Sequence, residues 1–225
     1  MSLQTIIKNK EKEKNHFTWN GIEIFIKDKF TNKDISLKSA LESLEAKVPK
    51  HLLRNVEAIY IGDFDFLNDR DVQASYQDSA IYVTNSQDDE EDMCDDIVHE
   101  IAHSVEEMYM RYIYADGQLE REFLTKRRAL FNILSAEGIH YSPAAFLNPE
   151  YDKGFDEFLY KTAGYPLLNM VTADIYYSPY AATSLREYFA NGFEALFYFG
   201  EFEFISKSCP KLFEKLNGLL EIKND

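Results

Sequence analysis

Between positions 89 and 114, apolar residues recur at a helical interval: Met93, Ile97, Ile101, Val105, Met108 and Tyr112. Spacing of three or four residues, sustained over that length, specifies one long helix with a single stripe packed on a core. Its start is marked chemically. Asp88, Asp89, Glu90, Glu91 and Asp92 stand where carboxylates meet the positive end of a helix dipole. Its end falls near Asp116-Gly117. Any fold for this chain has to be built around that helix.

The helix carries His99-Glu100-Ile101-Ala102-His103, an H-E-x-x-H sequence. Histidines four apart lie one turn above each other, so both imidazoles can reach one metal ion. The glutamate beside the first histidine is then aimed at the metal's open position, where it can take a proton from bound water. With 5 His in 225 residues, the pentapeptide arises by chance in about one such chain in a hundred. Here it also falls on the expected helix. At about 100° per residue, both histidines lie on the polar flank of the apolar stripe rather than within it. This spacing points to a zinc hydrolase, most often a peptidase.

Composition sets the frame. A chain of 225 residues, 45% hydrophobic and 15% aromatic, can bury a proper core, and one domain over 1–225 is expected. A net charge of −15 argues against nucleic acid, whose binders replace phosphate counterions with Lys and Arg, and against an anionic membrane surface. Cys94 and Cys209 are too few for a disulfide framework. Residues 1–15 read as a charged lead-in without the apolar run of a signal peptide, and no later stretch is long enough to span a bilayer. The default is therefore a cytoplasmic protein with reduced thiols, with export by another route left open.

Strand signals come first. Ile22, Ile24 and Ile26 alternate with Glu23, Phe25 and Lys27, and short apolar runs at 58–61 and 80–84 end at Gly62-Asp63 and Asn85-Ser86. A short helix fits 36–48, ended by Pro49. After the motif helix, helices fit 119–136, 183–199 with Gly200 at the end, and 211–220. Residues 139–180, rich in Pro and Gly, read as loops with short helices. Strands early and helices late make an α+β pattern, a small N-terminal mixed sheet with a mainly helical C-terminal part.

A catalytic zinc usually takes three protein ligands and a water. The longer H-E-x-x-H-x-x-G-x-x-H pattern fails, because positions 106 and 109 are Glu and Tyr. A carboxylate on a second helix is needed. Glu187 is the best candidate, a charged group in the first turn of the apolar, aromatic stretch 184–194. Glu194, two turns later, is its main rival; His140 and Asp174, in loop-like sequence, are weaker ones.

At this point the chain resembles the lethal-factor-like zinc metallopeptidases, which include the catalytic domain of anthrax lethal factor and the clostridial Pro-Pro endopeptidases. These combine H-E-x-x-H, a later E-F-F-A-E-A-F-like helix whose first glutamate binds zinc, and a tyrosine seven residues before that glutamate. Here Glu187-Tyr188-Phe189-Ala190-Asn191-Gly192-Phe193 looks like that helix, and Tyr180 stands seven residues ahead of Glu187. The resemblance covers roughly residues 56–205, of which only the two short motifs are specific. It implies a zincin-like fold, with zinc on His99, His103 and Glu187, Glu100 as general base and Tyr180 stabilising the oxyanion. It also implies an extended peptide or protein substrate lying along Ile81-Tyr82-Val83 as the edge strand. Asn191 and Gly192 depart from the family's Glu and Ala. The 83 residues between His103 and Glu187 imply an insertion near 115–165. Tyr176 and Tyr177 stand as alternatives to Tyr180.

Three functional readings follow. The first is a zinc metalloendopeptidase with a glutamate third ligand. The second is a catalytically silent zinc-binding interaction module derived from a peptidase fold. The third is a thermolysin-like peptidase, in which Glu187 begins an E-x-x-x-D-like helix with Asn191 in place of Asp. Substrate identity and oligomeric state are not encoded in any of these motifs.

Overall fold

The computed structural model describes residues 15–222, and the chain divides into two compact units, 1–105 and 106–225. The charged lead-in expected at 1–15 falls outside the described residues but for its last position.

The first unit is a five-stranded mixed sheet with helices. Its strands are β1 (His16–Trp19), β2 (Ile22–Ile26), β3 (Ala58–Gly62), β4 (Ala74–Gln77) and β5 (Ala80–Thr84), in the order β1-β2-β3-β5-β4. The central pairs β2·β3 and β3·β5 are parallel, and both outer pairs are antiparallel hairpins. Asn20-Gly21 and Asp78-Ser79 make the two hairpin turns with both residues at positive φ, the geometry whose twist matches the strands it joins. Sequence alternation decides the two faces. Ile24, Ile59 and Ile81 share one register row, Ile61 and Val83 the next, and all five are buried. On the other face His16, Phe25, Tyr60 and Tyr82 stack ring on ring across four strands, with centroids 4.4, 5.0 and 5.1 Å apart.

The crossover from β2 to β3 passes through α1 (Leu37–Lys47), capped by Ser36, whose hydroxyl accepts the Ser39 N–H. The motif helix α2 (Glu90–Tyr114) follows β5. The Asp89 carboxylate caps it, accepting the N–H groups of Glu91 and Asp92 at 2.8 and 3.0 Å. Met93, Ile97, Ile101 and Val105 are all buried as the stripe predicts. Met108 and Tyr112 are not: Tyr109 leaves helical geometry (φ −112°, ψ 17°), and beyond it Ile113 faces inward instead. Unit one ends in this helix before the kink and unit two begins there.

The second unit is helical. It comprises α3 (Gln118–Ala136), α4 (Lys153–Glu157), α5 (Tyr165–Thr172), α6 (Leu185–Phe193), α7 (Phe202–Ser208) and α8 (Pro210–Glu221), with π-helical turns Phe158–Ala163 and Glu194–Phe199. Gly200 ends the stretch begun by α6 in the left-handed conformation, as its position suggested. Among the described residues no helix is long and apolar enough to cross a membrane. Both cysteines are buried free thiols.

Two strands escape the sequence reading: β1, and β4 within the polar stretch before β5. One expectation is corrected by them. Ile81-Tyr82-Val83 is not an edge strand, because β5 pairs with β3 on one side and β4 on the other. The sheet ends at β4, and an apolar run such as β5 belongs in the sheet interior, where both of its edges are paired.

Candidate metal centre

The two histidines owe their positions to α2 alone. One turn apart on a regular stretch, His99 and His103 present the same nitrogen, and their Nε2 atoms are 3.2 Å apart. Two ligands of a tetrahedral zinc, with bonds of about 2.0–2.1 Å, stand roughly 3.3 Å apart, so this pair has the span such an ion requires. His99 is half-buried and His103 buried. Three residues before His99, burial pushes the Asp96 carboxyl up to about 6, opposed by the amide of Gln87, which donates to it at 2.9 Å, and by the charge of His99.

Glu187 is placed differently. Its helix α6 starts at Ser184, whose hydroxyl accepts the Glu187 N–H at 3.2 Å. The turn ahead of it is gripped from outside. Arg127 of α3 donates to the carbonyls of Ala182 and Thr183, and through its other terminal nitrogen to those of Ala145 and Asn148. Its guanidinium lies 3.9 Å from the Phe155 ring centroid, and burial lowers its pKa to about 10. The Leu185 N–H donates to the Pro149 carbonyl at 2.8 Å. Residues 145–149 thus brace the start of α6.

Next to Glu187, Arg186 donates to the buried carboxylate of Glu106 at 2.8 Å, and the Tyr114 hydroxyl donates to the same carboxylate at 2.7 Å. The Asn191 side-chain oxygen accepts a hydrogen bond from the Ser178 hydroxyl, and a Cβ at Gly192 would run into Leu212 of α8.

His99, His103 and Glu187 each offer one ligand atom, and these atoms all lie within 4.8 Å of one another. Two imidazoles and a carboxylate are a donor set suited to a divalent transition metal, and three ligands are the complement of a catalytic zinc. The other candidates do not join the group. Glu194 is buried at the start of the π-helical turn, and His140 and Asp174 are exposed.

Glu100 is buried, and its carboxylate accepts the backbone N–H of Tyr76 at 2.5 Å. Tyr76 is paired with Ile81 in the non-hydrogen-bonded register of the hairpin, so that N–H points off the open edge of β4. The Tyr76 hydroxyl accepts from Asn55, whose amide also donates to the Ser104 carbonyl on α2. The sheet edge is thereby fastened to the motif helix.

Tyr180 is tied electrostatically to Glu187. Burial, and then the Glu187 charge, hold its phenol well above the ordinary range, so it remains a hydrogen-bond donor. Tyr176 is buried against Tyr188 and Lys126, and Tyr177 packs on Phe199 and Phe204. Sequence reading misses Tyr76, Glu106, Arg127 and Arg186. Of these only Glu106 carried a signal: a charged residue one turn beyond His103, bordering the apolar stripe. Compared with protein-family models, curated proteins and solved structures, the chain has no match in any of the three.

Proposed function

We propose that this protein is a zinc-dependent metallopeptidase with a zincin-like catalytic arrangement, His99, His103 and Glu187 holding the ion. The observation that carries the reading is the convergence of those three donors, with the two Nε2 atoms at tetrahedral spacing. Bound zinc supplies a polarised scissile carbonyl and a water whose pKa is lowered towards neutrality. Glu100 takes the proton of the attacking water and delivers it to the leaving amine. Tyr180, protonated throughout the physiological range, donates a hydrogen bond to the oxyanion. An extended peptide substrate pairs along the open edge of β4, whose outward groups are those of Ala74 and Tyr76.

One observation favours the silent, zinc-binding alternative: the Tyr76 N–H already holds Glu100. A substrate strand that pairs with Tyr76 takes over that N–H and releases the carboxylate, so the two readings differ in what happens when peptide is added. The test uses the full chain. Wild type and Glu100→Gln are expected to carry one zinc by mass spectrometry and His103→Ala none, while only wild type cleaves a peptide library. Turnover by Glu100→Gln at the wild-type rate would overturn the mechanism. Zinc without any cleavage by wild type would establish the silent module.

A further inference from the structure

The Glu100 carboxylate is buried, and a buried charge needs a partner. That partner is the main-chain N–H of Tyr76, which donates to Glu100 Oε2 at 2.5 Å. The N–H stands on β4, the last strand of the sheet, and points away from β5. Its position is anchored through the side chain of the same residue. The Tyr76 hydroxyl accepts from the Asn55 amide at 2.8 Å, and that amide also donates to the Ser104 carbonyl at 3.2 Å. Ser104 lies one turn after Glu100 on α2, so donor and acceptor are tied to one face of one helix. The Glu100 side chain can turn about its own bonds while strand and helix stay in place.

A strand added to β4 lies about 4.8 Å away and brings a carbonyl oxygen to about 2.9 Å from an outward nitrogen. At Tyr76 that oxygen takes the place Glu100 Oε2 now holds. One amide hydrogen makes one strong bond, so an added strand and the carboxylate compete for it. A guest too short to cover Tyr76, or without a carbonyl at that register, leaves the carboxylate where it is.

We infer that the Tyr76 N–H sets substrate specificity by hand-off: it holds the general base until an extended peptide covers it with a main-chain carbonyl. This rests on the peptidase reading and deepens it by naming the substrate class, extended chains that reach Tyr76 rather than short peptides. Strand addition here does more than bind, because the contact that seats the substrate is also the one that frees the base. Length therefore acts on kcat, since a peptide that stops short is bound beside a base still engaged elsewhere.

The experiment extends a graded series of peptides residue by residue on either side of one bond. With the zinc-loaded full chain, kcat and KM are measured separately for each. At one added residue kcat is expected to rise roughly tenfold or more, the weight of a hydrogen bond to a charged group. Tyr76→Pro removes the N–H at a position where an edge strand accepts proline, and the step in kcat is expected to vanish. A readout without turnover compares Glu100→Ala, which gives up the N–H, with Glu100→Gln, whose amide oxygen still accepts it. By calorimetry Glu100→Ala is expected to bind a peptide that reaches Tyr76 several-fold more tightly than Glu100→Gln does, and a shorter peptide equally. The inference is overturned if length changes KM alone in the wild-type chain, or if the two Glu100 variants bind the long peptide alike. Neither result depends on how Tyr76→Pro folds. A step that persists in a folded Tyr76→Pro also overturns it. Cleavage without a step in kcat would sink the hand-off and leave the peptidase. Tighter binding of long peptides by Glu100→Ala, with no cleavage by wild type, would sink the peptidase and leave the hand-off.

Discussion

The helices that carry the metal-ligand candidates are held in place by opposite means. On α2, the positions of His99 and His103 follow from the helix itself, and the Nε2 separation of 3.2 Å needs nothing beyond a regular turn. On α6, Glu187 is set by residues remote in sequence: Arg127 and Pro149 at the preceding turn, and Glu106 holding the adjacent Arg186. The placing of His99 and His103 is therefore encoded locally, and that of Glu187 depends on the second unit being fully assembled. The first should withstand damage elsewhere; the second should not.

The largest test of that difference is Arg127→Met. It leaves the carbonyls of Ala145, Asn148, Ala182 and Thr183 without their donor, and a buried acceptor left unsatisfied costs about 1–3 kcal/mol. Urea denaturation should show that loss, and zinc affinity, read by chelator competition, should fall with it. A variant within about 1 kcal/mol of wild type would mean that the turn before α6 keeps its shape unaided.

This asymmetry also explains how much could be read beforehand. The α2 stripe, the H-E-x-x-H pair and the inner strands β2, β3 and β5 follow from periodicity, which is a property of neighbouring residues. The helix that carries Glu187 was legible too, as an apolar, aromatic stretch with one charged group in its first turn. The strand β4 was hidden because Ala74-Ser75-Tyr76-Gln77 has no apolar run, as suits an edge strand with one side open. The strand β1 left a legible trace, the Asn20-Gly21 turn between His16–Trp19 and Ile22–Ile26. Arg127 and Arg186 gave no trace at all. An arginine on a helix looks the same in sequence whether it faces water or four carbonyls, and only the distant partners decide.

A middle-sized effect tests the locally encoded half. The Asp96 carboxyl titrates at about 6 in the folded chain, against about 3.9 unfolded. A raised acid favours folding in its protonated form, so its contribution is complete below pH 4 and is lost as pH rises through 6. Asp96→Asn should therefore stabilise the metal-free protein by about 2 kcal/mol at pH 7.5 and leave it unchanged at pH 4. Equal effects at the two pH values would show that the substitution acts through packing rather than charge. Because the α2 backbone is untouched, His99 and His103 should still hold zinc in this variant.

The smallest effect is the most specific. Glu106 is buried but Arg186 is 59% exposed at its side chain, so solvent screens their pairing, and Glu106→Gln should cost only about 1 kcal/mol. The amide oxygen still accepts the Tyr114 hydroxyl, so what is lost is the charge that fixes Arg186 beside Glu187. If that fixing is what orients the third ligand, zinc affinity should drop several-fold, more than the stability change alone explains. Arg186→Met should produce the same drop, and the double variant should be no worse than either single one, since each removes the same constraint. Additive losses would instead mean that the two side chains act separately, and that Glu187 is placed by Ser184 and the Arg127 turn without them.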